Sequence, residues 1–136
     1  MPGQYTYKGE EYALIGNGSD GSLARLTTRL KLYRSSSTPA KDGVGFVEVA
    51  NGNGYLTGGL PVVVGNWTLK TPPPARIQLA DQSWVAAGGS IADVAGAYIT
   101  DAAGDVLGWA EAAEVRTYAA GETILVDDLT FGLQSA

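Results

Sequence analysis

The sequence predicts an all-β domain, and three observations support this prediction. Apolar and polar residues alternate with a period of two in several short segments, Gly, Pro, Asn and Asp clusters separate those segments, and no segment sustains helical spacing. A chain of 136 residues, 45% of them hydrophobic, is long enough for one core and too short for two. We therefore expect a single β-sandwich of jelly-roll or related Greek-key type.

The N-terminal region is predicted to be an arm over residues 1–22, followed by the β-sandwich domain over residues 23–136. The stretch YKGEEYALIG favours one or two helical turns over residues 10–15, and GNGSDGS after it is typical of a flexible connection. Because the arm is rich in glycine and polar residues, it buries too little surface to offset the entropy of ordering. We expect it to order only on a larger assembly or against a neighbouring subunit.

The first predicted strand is LARLTTRLKLY, whose alternation indicates burial on one side. The apolar face holds Leu26, Thr28, Leu30 and Leu32. The opposite face holds Arg25, Thr27, Arg29, Lys31 and Tyr33. Further β segments are predicted in VGFVEVA from Val44, in LPVVVGNWTLK and in ARIQLA, whereas TPPP at residues 71–74 is a connection.

The segment GAYITDAAGDVLGWAE predicts a β-hairpin in which Gly104 supplies a left-handed residue. Strict alternation in its second strand places Leu107 and Trp109 on one face, and this bulkier face is expected to enter the core, with Gly108 on the other. The last predicted strand is TILVDDLTFGL. Its expected buried face consists of Leu125, Leu129, Phe131 and Leu133.

The composition excludes several kinds of chemistry. The chain has no His and no Cys, so Ser–His–Asp and Cys–His catalysis are excluded, and neither an enzymatic activity, a cofactor nor a metal is predicted. It has no apolar run long enough for a membrane span and no secretion signal, so we expect synthesis in a cytoplasm and no membrane association. Charged residues make up only 17% of the chain, which indicates that a partner covers part of the surface.

Charge is distributed unevenly along the sequence. Residues 1–80 contain eight basic and five acidic residues, a net charge of +3, whereas residues 81–136 contain one basic and nine acidic residues, a net charge of −8. This split favours complementary protein surfaces over nucleic-acid binding. The basic strand residues Arg25, Arg29, Lys31 and Tyr33 are therefore predicted to form a protein interface. Alternatively, the two halves interleave in one sheet and the asymmetry cancels in space.

Three other features have a functional and a structural interpretation. The glycine-rich stretch NGNGYLTGGLPVVV, residues 51–64, lacks both the Walker and the dinucleotide-binding patterns, so it is predicted to turn the chain. The acidic turn at Asp101 is predicted to be structural, with a calcium site as the alternative. The aromatic residues are predicted to pack in the core, with a sugar-stacking platform as the alternative. They are Trp67, Trp84, Tyr98 and Trp109.

A family resemblance rests on four stretches. A leucine-tyrosine strand ends in Thr-Pro at residues 30–39, a Gly-Tyr stretch follows at 52–60, YITDAAGDVLGWAE at 98–111 forms a hairpin, and GETI opens the last strand at 121–130. This order resembles a set of small tailed-bacteriophage proteins encoded among virion genes. The resemblance covers roughly residues 10–133 and leaves residues 1–8 outside the pattern.

The resemblance implies a virion structural protein assembled in the cytoplasm of a host bacterium. The first function class is a capsid decoration, or cement, protein that binds the major capsid protein and forms a trimer or another symmetric homo-oligomer. The second class is a tail fibre or tip module that binds a host glycan or another tail protein. Small size, low charge and an N-terminal arm favour the first class, because cement proteins spread weak contacts over many copies.

Overall fold

The architecture is mostly antiparallel β over the residues that the computed structural model describes. These are residues 2–7, 9, 23–70 and 76–132, with the side chains of 69 and 70 excepted. Tyr7 and Gly9 have helical backbone, the short helix α1 spans Leu23–Leu26, and a 3-10 turn spans Val64–Asn66. The strands are β1 Gln4–Tyr5, β2 Arg29–Arg34, β3 Leu60–Pro61, β4 Trp67–Lys70, β5 Arg76–Leu79, β6 Gln82–Val85, β7 Ile91–Thr100, β8 Val106–Tyr118, β9 Thr123–Val126 and β10 Thr130–Gly132.

These strands form three antiparallel sheets around one main core. The largest sheet has the order β1-β8-β7-β2-β3, the second has the order β10-β5-β4, and the third pairs β6 with β9. Buried side chains from all three sheets meet in a single cluster, for example Leu32 from the first, Phe131 from the second and Trp84 from the third. The all-β single-domain prediction is confirmed, while jelly-roll connectivity stays a prediction.

The predicted alternation of β2 is confirmed from Arg29 onward and is wrong before it. Leu30 and Leu32 are buried in the main core, whereas Arg29 is exposed. The residues before the strand form α1, and both the backbone N–H and the hydroxyl of Thr27 donate to the carbonyl of Leu23, at 3.0 and 2.7 Å. A buried threonine that bonds back four residues ends a helical turn, so the strand begins later than the pattern predicts.

The predicted hairpin between β7 and β8 is confirmed, and Asp101 closes its turn. Asp101 Oδ1 accepts hydrogen bonds from the N–H groups of Ala103 and Asp105, at 3.0 and 2.9 Å. The N–H of Gly104, whose φ is +89°, donates to the Asp101 carbonyl. An aspartate that satisfies backbone donors two and four residues ahead is a turn-forming residue.

A β-bulge in β8 contradicts the predicted face of Trp109. Ile99 pairs with Gly108 and Thr100 pairs with Val106, so Leu107 is an extra residue in β8. The bulge turns both Leu107 and Gly108 toward the main core and sends Trp109 to the opposite face. The prediction that Leu107 and Trp109 share a face is therefore wrong.

The predicted last strand is two strands that belong to different sheets. β9 pairs with β6 and β10 pairs with β5, and between them Asp128 adopts a left-handed conformation with φ +52°. This residue shifts the alternation by one position, so Leu125 is exposed while Leu129 and Phe131 are buried. The expected burial of Leu125 was wrong, and Leu133 lies outside the described residues.

The glycine-rich stretch turns the chain, as predicted. Gly52 and Tyr55 exchange backbone hydrogen bonds around Asn53 and Gly54, whose φ angles are +56° and +100°. Two consecutive left-handed residues define a tight hairpin turn, which the Asn-Gly dipeptide favours. The β segment predicted from Val44 is reduced to an isolated bridge between Tyr33 and Glu48.

The predicted N-terminal arm is part of the fold over its described residues. β1 pairs with β8, and the Tyr5 hydroxyl donates to the carbonyl of Gly132 at 2.7 Å. Thr6 is buried, and its hydroxyl donates to the carbonyl of Val106 at 2.6 Å. Residues 2–7 therefore contact the sheet, and the boundary of the arm at residue 22 stays a prediction. The helical turn predicted over residues 10–15 lies outside the described residues.

We expect Gly108→Ala to destabilise the domain, because a Cβ at this position would lie 2.5 Å from the Phe131 ring and 2.7 Å from the backbone oxygen of Gln4. Overpacking of this kind typically lowers the free energy of unfolding by about 1–3 kcal/mol. Urea denaturation measures the change. Gly65→Ala is the matched control, because nothing lies within 4 Å of its added Cβ. Equal stability of the two variants would contradict the packing of the bulge.

Candidate interaction surface

The outer face of the five-stranded sheet, which points away from the main core, contains the predicted interface residues of β2. Arg29 pairs with Thr100, Lys31 with Tyr98 and Tyr33 with Gly96 across to β7. Because side chains alternate along a strand, Arg29, Lys31 and Tyr33 share this face and Leu30 and Leu32 occupy the other. The structure thus brings three of the four predicted residues to one face.

A second cluster of aromatic side chains lies on this outer face. Phe46 stacks on Tyr98 with ring centroids 5.0 Å apart. It also makes edge-to-face contacts with Tyr33 and Trp109, with ring centroids 5.6 and 5.7 Å apart. We call Tyr33, Phe46, Tyr98, Val106 and Trp109 the outer cluster. Phe46 comes from the loop of residues 35–47, the cover loop. All members except Phe46 are buried, so these aromatics are packing residues.

Tyr33 crosses the sheet surface above a glycine. A Cβ on Gly96 would lie 2.4 Å from the Tyr33 hydroxyl oxygen, so only glycine leaves room for the phenol. The hydroxyl donates to the carbonyl of Ala110 at 3.4 Å. Burial, together with the nearby negative charge of Glu111, raises the pKa of Tyr33 from 10.0 to about 12. Tyr33 is therefore a neutral, buried residue and not an exposed part of an interface.

The basic residues differ in their positions. Arg29 is exposed on β2, and the ammonium of Lys31 lies 5.9 Å from the centre of the Tyr98 ring, within reach of a cation–π contact. Arg25 is exposed on α1 and does not lie on β2 as predicted. We call Arg29 and Lys31 the basic pair.

The cover loop presents apolar side chains to solvent next to the outer cluster. Val44 is 66% exposed, and Tyr7, which follows β1, is 65% exposed. The N–H of Tyr7 donates to the carbonyl of Lys41 at 2.9 Å, and the Lys41 ammonium lies 5.8 Å from the Tyr7 ring centre. The sequence pattern does not predict this patch, because it favours a strand from Val44. Gly43 and Gly45, both with positive φ, were the signal for a loop.

Glu48 holds the glycine-rich stretch against β2. Its Oε2 accepts hydrogen bonds from the Tyr55 hydroxyl and the Gly58 N–H, both at 2.7 Å. The Tyr55 oxygen also accepts the Leu32 N–H at 3.1 Å. Burial and these contacts with Glu48 raise the pKa of Tyr55. The carboxylate therefore has a structural role in fastening this loop.

The acidic residues do not gather into a ligand set. The Asp101 carboxylate closes its turn, and Asp128 Oδ1 accepts a hydrogen bond from the side-chain amide of Gln78 at 3.0 Å. Across the described ranges, no three potential metal ligands of the types His, Cys, Asp and Glu come together. Within the same ranges, no helix has the length and apolar character needed to cross a membrane.

Comparisons with family models, with curated proteins and with solved structures found no match to this chain. The described surface instead presents a basic pair on the five-stranded sheet and an exposed apolar patch at Val44 and Tyr7.

We expect alkaline pH to destabilise the domain through its buried tyrosines. Burial raises the pKa of Tyr33 and Tyr5 from 10.0 to about 12 in the folded chain. The folded state therefore keeps protons that the unfolded state loses, and the stabilisation, complete below pH 10, disappears as pH rises through about 12. Urea denaturation between these pH values should show a shallower loss for Tyr33→Phe than for the parent. Tyr7→Phe, at an exposed position, is the control, and equal slopes for all three chains would contradict the assignment.

We expect Trp109→Ala to lower the free energy of unfolding by about 3–5 kcal/mol, the usual cost of truncating a buried tryptophan. The cause is loss of the contacts of the outer cluster, not of the main core. Thermal denaturation measures it, with Tyr7→Ala as an exposed aromatic control. A variant that melted normally and yet lost binding to cells or glycans would identify Trp109 as a recognition residue.

Proposed function

We propose that the protein is a bacteriophage virion structural protein that decorates and stabilises the shell formed by the major capsid protein, without enzymatic activity. The sequence resemblance supports a virion location. The observation that supports the proposal is the basic pair, Arg29 and Lys31, together with the exposed side chains of Tyr7 and Val44 on the described surface. A surface that combines cations with exposed apolar groups is suited to docking on another protein.

The packing of the domain is consistent with a decoration role. The five-stranded sheet is covered by the main core on one side and by the outer cluster on the other. Such a body presents its contact residues on a rigid support, which reduces the entropy lost on attachment. Symmetric repetition, with a trimer favoured, then multiplies modest contacts on the shell.

A tail-side module that binds a host glycan is the alternative class. It would need an exposed aromatic platform, whereas Trp84, Tyr98 and Trp109 are buried. Quantitative mass spectrometry of purified virions separates the two classes. A copy number comparable with that of the major capsid protein would support decoration of the shell, and a few copies per virion would assign the protein to the tail.

We expect Arg29→Glu to weaken attachment to purified shells about two- to tenfold at low salt without unfolding the domain, since exposed ion pairs contribute modestly. The difference from the parent should shrink with added salt, because charges are screened over about 8 Å at physiological ionic strength. Cosedimentation with undecorated shells measures the occupancy. Arg76→Glu makes the same charge change at an exposed position on another sheet. Unchanged occupancy of the Arg29 variant at every salt concentration would show that this face is ordinary solvent-exposed surface.

A further inference from the structure

The outer face of the β6–β9 sheet carries exposed apolar side chains. Val85 and Leu125 are each 52% exposed, while their neighbours Trp84 and Ile124 are buried in the main core. Ser83 pairs with Leu125 and Val85 pairs with Thr123, so Val85 and Leu125 are diagonal neighbours on the same face. Over the described residues, this face is an exposed apolar surface on a different sheet from the basic pair.

Two carboxylates lie at one end of this face. Gln82 and Val126 form the last pair of the ladder, and Asp81 and Asp127 are the residues next to them along the chain. Both side chains are exposed, and both occupy the positions that alternate outward with Ser83 and Leu125. Within the described ranges, neither carboxylate contacts a basic side chain. We call Asp81, Ser83, Val85, Thr123, Leu125 and Asp127 the acid-ended face.

The basic pair is the complement of these carboxylates in charge. Arg29 and Lys31 lie two residues apart on one strand, and Asp81 and Asp127 lie beside the last pair of the β6–β9 ladder. Over the described part of the chain, Arg29 contacts no carboxylate, and Lys31 contacts the Tyr98 ring instead. Each surface thus presents two uncompensated charges of one sign beside partly exposed apolar groups.

The two surfaces belong to different sheets that share the main core. Leu30 and Leu32 of β2, like Trp84 and Ile124 of the β6–β9 sheet, are buried in that core. The outward side chains that alternate with them face away from it. Among the described residues, no contact joins the two surfaces within one copy.

We propose that a second copy of this chain docks its basic pair on the acid-ended face, burying Val85 and Leu125 beneath it. A second copy is favoured because the chain itself contains both complementary surfaces, whereas its net charge of −5 would otherwise oppose close association of copies. The two surfaces are different, so the contact is heterologous, and its repetition produces a closed ring or an open filament. The proposal concerns the free protein and does not depend on a location in a virion.

Paired charge reversal tests the contact. The basic variant is Arg29→Glu with Lys31→Glu, the acidic variant is Asp81→Lys with Asp127→Lys, and the combined variant carries all four changes. Sedimentation velocity over a range of protein concentrations at low salt measures the association. We expect each double variant to weaken self-association by at least about tenfold, since like charges then face each other. The combined variant should recover it, because every copy again carries two complementary surfaces.

Two controls separate this contact from a general effect of charge or stability. Glu114→Lys and Arg76→Glu change charge in the two directions at exposed positions outside both surfaces, and they should leave association unchanged. Circular dichroism of each variant reports folding, and recovery in the combined variant excludes misfolding as the cause of the loss. A parent protein that is monomeric throughout, double variants that still associate, or a combined variant that fails to recover would each overturn the proposal. Arg29→Glu also tests shell attachment, so the acidic variant, which keeps the basic pair, distinguishes the two proposals. Loss of self-association with retained shell occupancy in that variant supports this contact independently of the contact with the shell.

Discussion

The β-bulge at Leu107 and Gly108 allows one sheet to supply two hydrophobic clusters. Without the extra residue, strict alternation would direct Leu107 and Trp109 to the same side. With it, Leu107 completes the main core, and Trp109 supports the outer cluster. Gly108 makes this arrangement possible, because the Phe131 ring occupies the space that a side chain would need. The sheet is thereby packed on both sides, and the cover loop acquires an aromatic surface on which Phe46 can lie.

The sequence predicts those parts of the fold in which local pattern and pairing agree. The alternation of β2, the hairpin closed at Gly104 and the turn at Asn53 each depend on a short run of residues, and each is confirmed. The predictions failed where one residue changed the phase of a strand. Leu107 is an extra residue in β8, and Asp128 is a left-handed residue between β9 and β10. The apolar pattern around each of them is compatible with either assignment of side chains to the two faces of the sheet.

The candidate surface was only partly predictable for the same reason. Alternation identifies Arg29 and Lys31 as neighbours on one face. Alternation gives no indication that Tyr33 is covered, since the ring that covers it, Phe46, belongs to the cover loop and not to a strand. The charge asymmetry of the sequence is also redistributed by topology. β2, from the basic half, lies beside β7, from the acidic half, while Asp81 and Asp127 adjoin the ends of strands in a separate sheet.

The position of β1 has a consequence for the order in which the fold can form. Thr6 is separated from its partner Val106 by 100 residues, and Tyr5 from Gly132 by 127. During synthesis from the N-terminus, these residues leave the ribosome long before anything exists for them to pair with. Contacts of such long range form slowly, because the chain entropy lost in closing them is large. β1 can therefore pair only after β8 has been synthesised, and until β1 docks, β8 exposes a free edge.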